Sequence, residues 1–398
     1  MECYFDNVAT NPLREEVYEA MLPYLKEEFG NPLSVYPLGI RAREAIEKAR
    51  EQVATLVNAK TTEIVFTSSG AEANNFALRG IAFAHQYTGK HIIVTRMEHH
   101  SVLNSARFLE KLGFTVTYVT PDKHGVIHPE DIKKAITDET ILISVIHASP
   151  EVGTIEPIKE IAQIAKEHNI IMHTDAVASV GNIPVDVKDL GVDLLSMAAH
   201  QFNGPKGAGA IYIKEGTRII PLIFGGIQEG GRRAGTENVP AIVGMGVAAE
   251  LVKKELPEKM EHVRKLRDRL VEGVMKIENV HFTGHPENRL PGHASFCVEF
   301  IEGEGMLLML AAKGIYVASG SACTSKALKA SPVLLSMGIP SHVAHGSIVF
   351  TFGRENTMEQ VEYALEEFPQ IIKRLRELSP YAKGWEGTEE GGSCIQKK

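Results

Sequence analysis

Residues 63–86 read EIVFTSSGAEANNFALRGIAFAHQ: a β-rich run, a Ser-Ser-Gly turn and then a helical pattern. The same order recurs downstream, in HIIVT then HSVLNSARFLEKLG (91–95, 100–113) and in TILISVIHA then IKEIAQIAKEHN (140–148, 158–169), followed by IIMHTDA (170–176). Such alternation predicts an α/β fold with a mainly parallel sheet between helices. Ligand-binding groups are then expected where the strands end and the loops begin.

The chain is predicted to form two domains and a tail. Residues 14–255 carry the alternating pattern and form the large α/β domain. After a long helical stretch from Val239 to about Lys276 the strands become fewer, as in HASFCVEFI and GSIVFTFG, so residues 1–13 and 256–380 are assigned to a smaller α+β domain. The Gly- and Glu-rich residues 381–398 have no periodic apolar face and are predicted to be flexible.

Composition narrows the class of protein. The 398 residues are 44% hydrophobic and carry a net charge of −8 without a long basic block, so nucleic acid is not expected as a partner. The N-terminus lacks the pattern of a secretory signal, and no run of about 18 apolar residues occurs. We expect a cytoplasmic protein with no membrane span.

Polar residues at the predicted strand ends are the first candidates for a site. Asp175 follows an apolar strand, and a buried carboxylate there needs a partner, either a protonated heterocyclic nitrogen or an arginine. The turn at Gly70 suits an anion at a helix start, although a tight turn is the simpler interpretation. His99 and His100 follow another strand and are more simply loop residues, and RRAGTENVP (232–240) suits an anion or helix capping.

The four cysteines, at positions 3, 297, 323 and 394, form no CxxC pair and no metal-ligand spacing. Cys323 lies in ASGSACTSKALKAS, a Ser-rich run without apolar periodicity, and is the best candidate for a reactive thiol. Cys297 lies in an apolar strand pattern typical of an inert thiol, Cys394 falls in the tail, and Cys3 is undecided.

Taken together, these stretches resemble the cysteine desulfurases. Those are fold-type I enzymes that use pyridoxal phosphate to move sulfur from cysteine onto an enzyme thiol. The likeness covers nearly the whole chain and includes FDNVATNPL, GNPLSVYPLGIRAREAIEKAR, GSACTS and FTFGREN. It implies a seven-stranded-type sheet, a smaller α+β domain and a homodimer whose contact segment resembles GGIQEGGRRAGTEN.

The resemblance also assigns roles to single positions. The family's ring-stacking histidine corresponds to His99, and its aspartate facing the pyridine nitrogen corresponds to Asp175. Its phosphate-binding histidine corresponds to His200, and its threonine reaching the partner subunit's phosphate corresponds to Thr236. The persulfide-forming cysteine corresponds to Cys323.

The chain departs from the family where the chemistry is most demanding. The Schiff-base lysine of S-x-H-K-x-x-G-P-K-G is Gln201, whose carboxamide neither forms a Schiff base nor removes a proton. The threonine after the phosphate-loop glycine (Gly70) is Ala71. Four further cofactor or substrate positions are also replaced, by Pro150, Ala178, Ala198 and Val349. Losing two phosphate donors weakens cofactor binding by about 3–6 kcal/mol if the losses add, so tight retention of pyridoxal phosphate is not expected.

Three functions follow as hypotheses. The first is a pseudoenzyme of sulfur handling or iron–sulfur cluster assembly, in which Cys323 accepts a persulfide or ligates a cluster beside a scaffold or sulfur-acceptor protein. The second is an active pyridoxal-phosphate desulfurase or lyase with an unusual or engineered site, in which Lys206 or a residue of the partner subunit replaces the missing amine. The third is a structural or regulatory subunit that forms a heterodimer with an active paralogue.

Overall fold

The computed structural model describes residues 1–320 and 330–379. Its strands are β1 Cys3–Tyr4, β2 Ile64–Thr67, β3 His91–Thr95, β4 Thr115–Val119, β5 Thr140–Ile146, β6 Ile171–Asp175, β7 Leu194–Ala198, β8 Gly209–Ile213, β9 Val280–Phe282, β10 His293–Val298, β11 Ile315–Tyr316 and β12 Ser347–Thr351. Its helices are α1 Glu15–Lys26, α2 Pro37–Leu56, α3 Gly70–His85, α4 His100–Lys111, α5 Pro129–Ala135, α6 Ile158–Glu167, α7 Val187–Leu190, α8 Val239–Val274, α9 Gly303–Ala312, α10 Pro332–Ser336, α11 Ser341–Ala344 and α12 Met358–Leu378.

The central sheet has seven strands in the order β2-β8-β7-β6-β5-β3-β4. The pairs from β7 through β6, β5 and β3 to β4 are parallel, and β8 runs antiparallel to both of its neighbours. The predicted mainly parallel α/β sheet is therefore confirmed. Its parallel strands bring their carboxyl ends to one edge, where the candidate residues follow them.

Helices cover both faces of this sheet. In β3, Ile92 and Val94 point into a core shared with α3 and α4, whereas Ile93 points into the opposite core, which α2, α6 and α8 fill. Successive side chains of a strand alternate between its faces, and when both faces are covered the whole strand is apolar. This is why the strand sequences show continuous hydrophobic runs.

A separate hydrophobic core is formed by Cys3, Phe5, the last third of α8, and residues of α9, α12 and the strands β9 to β12. It packs against the antiparallel sheet β12-β10-β9, and β1 joins β11 as a parallel pair. Aromatic rings fill it, with Phe350 edge-on to Phe368 at 5.5 Å and Phe5 edge-on to Phe352 at 5.1 Å. The domain boundaries at residues 14 and 255 stay a prediction.

The long helix α8, with 36 residues, passes from the first core into the second. Within residues 1–320 and 330–379, no helix has the length and apolar character needed to cross a membrane. Cys323 and residues 381–398 lie outside the described residues.

Candidate active site

The candidate residues gather at the carboxyl edge of the central sheet. Gly70 begins α3 just after β2, His99 precedes α4 after β3, and Asp175 ends β6. His200 and Gln201 lie in a single 3-10 turn, Ala199–Phe202, directly after β7. At Gly70 a Cβ atom would lie 2.5 Å from Val177 Cγ2, so α3 approaches the loop after β6 closely and a larger residue would displace the Val177 side chain.

Asp175 is buried, and its carboxylate is held by neutral donors. Its Oδ2 accepts a hydrogen bond from Asn74 Nδ2 at 2.7 Å, and its Oδ1 accepts one from the Val177 amide at 3.0 Å. Burial raises the pKa of Asp175, and the nearby imidazole of His99 opposes that shift. No arginine among the described residues donates to the Asp175 carboxylate. Of the two partners that the sequence left open, this favours the protonated heterocyclic nitrogen.

A short polar chain connects this carboxylate to the histidine expected to stack on a ring. Asn74 Nδ2 also donates to Ser101 Oγ at 2.9 Å, and Ser101 Oγ lies 2.7 Å from His99 Nδ1. The Ser101 amide donates to the same His99 nitrogen at 3.1 Å. The exposed His99 ring is thus oriented at the N-terminus of α4, and Asp175 and His99 are brought together through Asn74 and Ser101.

The turn before α3 is closed by its own side chains. Ser69 Oγ accepts from the Glu72 amide at 3.1 Å, while the Glu72 carboxylate accepts from the Ser68 amide at 2.8 Å. Arg233 Nε donates to Glu72 at 2.8 Å, so one arginine of the 232–240 run already has a carboxylate partner. Asn238 caps α8, which supports the capping interpretation of that run.

Gln201 occupies the lysine position but is turned into the protein. The residue is 4% exposed, and its Nε2 donates to the Val8 carbonyl at 2.6 Å. Its Oε1 is buried without a hydrogen-bond partner among the described residues. Asn11 ties the same turn to the N-terminal segment, because its Nδ2 donates to Gln201 O at 3.0 Å and its amide donates to His200 O at 2.9 Å.

The remaining predicted residues are not part of the hydrogen-bonded chain from Asp175 to His99. His200 is half-buried, and burial together with Lys206 lowers its pKa. Lys206 is exposed, and Thr236 is exposed on the segment before α8. Ala178, Ala198 and Val349 are buried and end in methyl groups, so they donate nothing to a ligand.

Pyridoxal phosphate, which the family resemblance implies, fits these residues only in part. Asp175 and His99 suit its ring, whereas the buried carboxamide of Gln201 offers no amine for a covalent link. Ala71 and Ala198 supply no hydroxyl to its phosphate. The residues present therefore do not fit the group as a covalently held catalytic cofactor.

Two histidines at the strand ends have structural partners. His173 lies two residues before Asp175 in β6. Its ring is hydrogen-bonded to Ser144 Oγ of β5 at 2.8 Å and to Ser196 Oγ of β7 at 3.0 Å, and burial lowers its pKa to about 3. His147 is bonded to Ser179 Oγ at 2.9 Å, and burial lowers its pKa to about 4. Both are neutral core groups rather than ligands.

Sequence reasoning missed several polar residues at this edge. Asn74 lies one helical turn after Gly70, a spacing that points both residues toward the same strand ends. Glu98 precedes His99, accepts from Thr95 Oγ1 and the Ile146 amide at 2.8 Å each, and has a pKa well above its ordinary value because of burial. No pattern in the sequence identifies the Val8 carbonyl as a partner of Gln201.

The described thiols are inert. Cys297 is buried in β10 and burial raises its pKa to about 12, while burial raises the pKa of Cys3 as well. Within residues 1–320 and 330–379, no cluster of three His, Cys, Asp or Glu side chains suits a metal ion. The thiol and cluster-ligand roles expected of Cys323 lie outside the described residues.

Comparison with known proteins gives consistent matches. The family model described as aminotransferase class-V matches residues 3–364. The cysteine desulfurase IscS of Methanosarcina thermophila is 52% identical over 377 residues, covering 95% of this chain and 93% of that protein. The cysteine desulfurase IscS of Dictyoglomus turgidum is 52% identical over 385 residues, covering 96% and 98%.

Solved structures match most of the chain. A NifS-like protein superposes with a TM-score of 0.89 at 38% identity, covering 94% of this chain and all of that one. The apo cysteine desulfurase of Thermococcus onnurineus superposes with a TM-score of 0.85 at 29% identity, covering 94% and 95%.

Proposed function

The chain belongs to the class-V aminotransferases and, within them, to the cysteine desulfurases, and on that premise we propose a role in sulfur handling and iron–sulfur cluster assembly without pyridoxal-phosphate catalysis. The observation that carries the proposal is the buried Gln201 carboxamide, hydrogen-bonded to Val8 in the place of the Schiff-base lysine. A carboxamide nitrogen shares its lone pair with the carbonyl group, so it is neither a nucleophile toward an aldehyde nor a base.

No described neighbour supplies the missing amine in that turn. Lys206 is exposed within the Gly-Pro-Lys-Gly turn, and Gln201 itself is anchored at both its side chain and its backbone. Moving Lys206 inward requires the turn to rearrange against Asn11 and Val8. The retained Asp175 and His99 can hold a protonated aromatic ring, but nothing beside them binds it covalently.

The sulfur-handling step is assigned to Cys323, on the resemblance of SGSACTS to the family's persulfide loop. A donor persulfide transfers its terminal sulfur to the Cys323 thiolate, the donor leaves as a thiolate, and the number of electrons is unchanged. The two buried cysteines, Cys3 and Cys297, are excluded from this role by their raised pKa values. The receiving partner is then a sulfur-acceptor or iron–sulfur scaffold protein.

A second candidate is an active pyridoxal-phosphate cysteine desulfurase. It is favoured by relatives that carry that name at 52% identity over 95% of the chain. It is also favoured by the retained ring-binding pair Asp175 and His99. This candidate requires an amine from Lys206 or from a partner subunit.

A homodimer, or a heterodimer with a paralogue, is part of the proposal. Exposed apolar side chains lie on two neighbouring segments, Val35 on the first and Phe224 and Ile227 on the second, which are 87%, 76% and 75% exposed. Leu33 and Ile227 line one cavity, so the two segments adjoin. A second subunit packed there removes this apolar surface from water, and Ile227→Asp is expected to shift the protein to a monomer in light scattering.

Persulfide acceptance tests the sulfur-handling role. The protein is incubated with a low-molecular-weight persulfide, and peptides are analysed by mass spectrometry without reductant. We expect one added sulfur atom on the Cys323 peptide, its loss in Cys323→Ser, and its retention in the matched control Cys394→Ser. Equal labelling of Cys323 and Cys394, or none at Cys323, contradicts the proposed role and leaves a structural subunit as the better account.

A further inference from the structure

A buried amine lies near the N-terminal segment that binds Gln201. Lys259, on α8, is 7% exposed, and its Nζ donates to Gly181 O and Asn182 Oδ1, each at 2.9 Å. Both acceptors are uncharged. Lysine is seldom buried without a carboxylate partner, so its position calls for an explanation.

Two of the three hydrogen-bonding directions at Lys259 Nζ are occupied, and one is left over. Two N–H groups are used by Gly181 and Asn182; in the ammonium form a third proton fills the remaining direction, and in the neutral form the lone pair does. Burial lowers the pKa of Lys259 to about 8, and Glu255, one helical turn earlier, only partly opposes this shift. A lysine desolvated in this way is a nucleophile at neutral pH.

Lys259 and Asn182, which accepts one of the hydrogen bonds of the amine, both line a small cavity. It has a volume of about 30 Å³ and is lined by residues that include Asn7, Val8, Ala178, Lys259 and His293. That volume holds about two water molecules. It therefore admits a molecule of two or three non-hydrogen atoms and excludes a substituted pyridine ring.

None of the described charged or titratable groups around Lys259 forms an ion pair with its amine. His293 is kept neutral because burial lowers its pKa to about 3, and its Nε2 donates to the Pro150 carbonyl at 2.9 Å. On the other side, a second small cavity brings Arg14, Glu255 and Arg354 near Lys259. Glu255 is itself paired with Arg14 at 2.6 Å and with Arg354 at 3.2 Å.

We propose that Lys259 is a covalent binding site for small aliphatic aldehydes, which enter this cavity and form an imine with Nζ. The neutral amine adds to the carbonyl carbon, the resulting carbinolamine loses water, and a C=N bond replaces the C=O bond. No oxidant or reductant takes part. The cavity shares Val8 and Ala178 with the surroundings of Gln201, and imine formation at Lys259 neither requires nor excludes desulfurase activity.

Competitive labelling of the native protein tests this site. Formaldehyde with cyanoborohydride at pH 7 converts each imine to a methylated lysine, and peptide mapping gives the rate for every lysine. At that pH about 300-fold more of a lysine with a pKa near 8 is neutral than of an ordinary lysine. We expect Lys259 to be methylated at least about 10-fold faster than the exposed Lys206, even after slower access through the cavity is allowed for.

Three controls make the outcome decisive. Labelling in urea should remove the advantage of Lys259, because unfolding restores an ordinary amine. Lys259→Arg keeps a positive charge and donors but cannot form an imine, and it should lose the fast-labelled peptide while Lys206→Arg keeps it. If Lys259 is labelled no faster than the exposed lysines, the proposal is wrong. If pyridoxal phosphate labels Lys259 as fast as formaldehyde does, the cavity does not select small aldehydes by size.

Discussion

The buried ion pair between Arg50 and Glu229 gives a sharp test of the energetic reasoning. Arg50 Nη1 and Nη2 donate to the two Glu229 oxygens at 2.6 and 2.7 Å, and the Phe66 amide donates to the same carboxylate at 2.8 Å. The two side chains are 11% and 3% exposed. Together they attach the 228–231 turn to α2 and β2, beside the apolar surface proposed for the partner subunit.

We predict that Glu229→Gln lowers the free energy of unfolding by about 3 kcal/mol. Removing one member of a buried pair typically costs about 3–5 kcal/mol, since the other charge stays desolvated. Glutamine keeps one acceptor for Arg50 or Phe66, which places the expected value at the lower end of that range. The surface pair Lys60–Glu215 has the same 2.6 Å separation but is 62% and 69% exposed, so Glu215→Gln is expected to leave stability close to that of wild type.

The assay is urea unfolding followed by fluorescence and circular dichroism, with wild type, both single variants and a double-mutant cycle using Arg50→Met. In the Glu229→Gln background, Arg50→Met should be less destabilising than in wild type, because it removes a buried charge whose only remaining carboxylate partner among the described residues is the exposed Glu47. Equal effects of Glu229→Gln and Glu215→Gln refute the reasoning that burial, not distance, determines the strength of these pairs.

Three further predictions concern the site and the cores. Gln201→Lys should not restore sulfide release from cysteine, because Ala71 and Ala198 still leave pyridoxal phosphate bound at least about 100-fold more weakly than in an enzyme with the family's donors; full turnover from that one change contradicts this. Burial raises the pKa of Glu156 to about 8, so between about pH 4.5 and 8 the folded state keeps a proton that the unfolded state has released, and stability falls as pH rises through that window. Glu156→Gln should flatten this pH dependence in urea titrations and be more stable than wild type above about pH 8. An unchanged pH dependence of stability in the variant contradicts this prediction. Arg289→Met should cost about 3 kcal/mol because its buried guanidinium donates to the carbonyls of Val152, Thr283 and His293, whereas the exposed control Arg264→Met should change stability by less than about 0.5 kcal/mol.

The sequence predicted the sheet and the edge at which the candidate residues gather, because both depend on local patterns. Largely apolar runs such as TILISVI predict strands covered on both faces, and parallel strands bring His99, Asp175 and Gln201 to one edge. The loss of the amine at position 201 needed no structure, since it is a property of one residue compared with the family's motif.

Contacts between distant segments were beyond sequence reasoning. Gln201 bonds to Val8 across 193 positions, and Arg233 pairs with Glu72 across 161 positions, so neither contact leaves a periodic signal. Asn74 is a comparable case, because its bond to Asp175 depends on how α3 crosses the end of β6. Lys259 was missed since a lysine in the charged helix sequence VKKELPEKMEHVRK gives no sign of being turned into the core.

The central claim, that this desulfurase fold works without pyridoxal-phosphate catalysis, is tested most directly by sulfide release from cysteine. Wild-type protein, saturated with pyridoxal phosphate and reductant, is compared with a blank of free cofactor, and its absorbance spectrum is recorded after gel filtration. We predict sulfide release equal to the blank and no retained cofactor band. Cysteine-dependent sulfide release above the blank, with cofactor retained on the protein, contradicts the claim and establishes the active desulfurase.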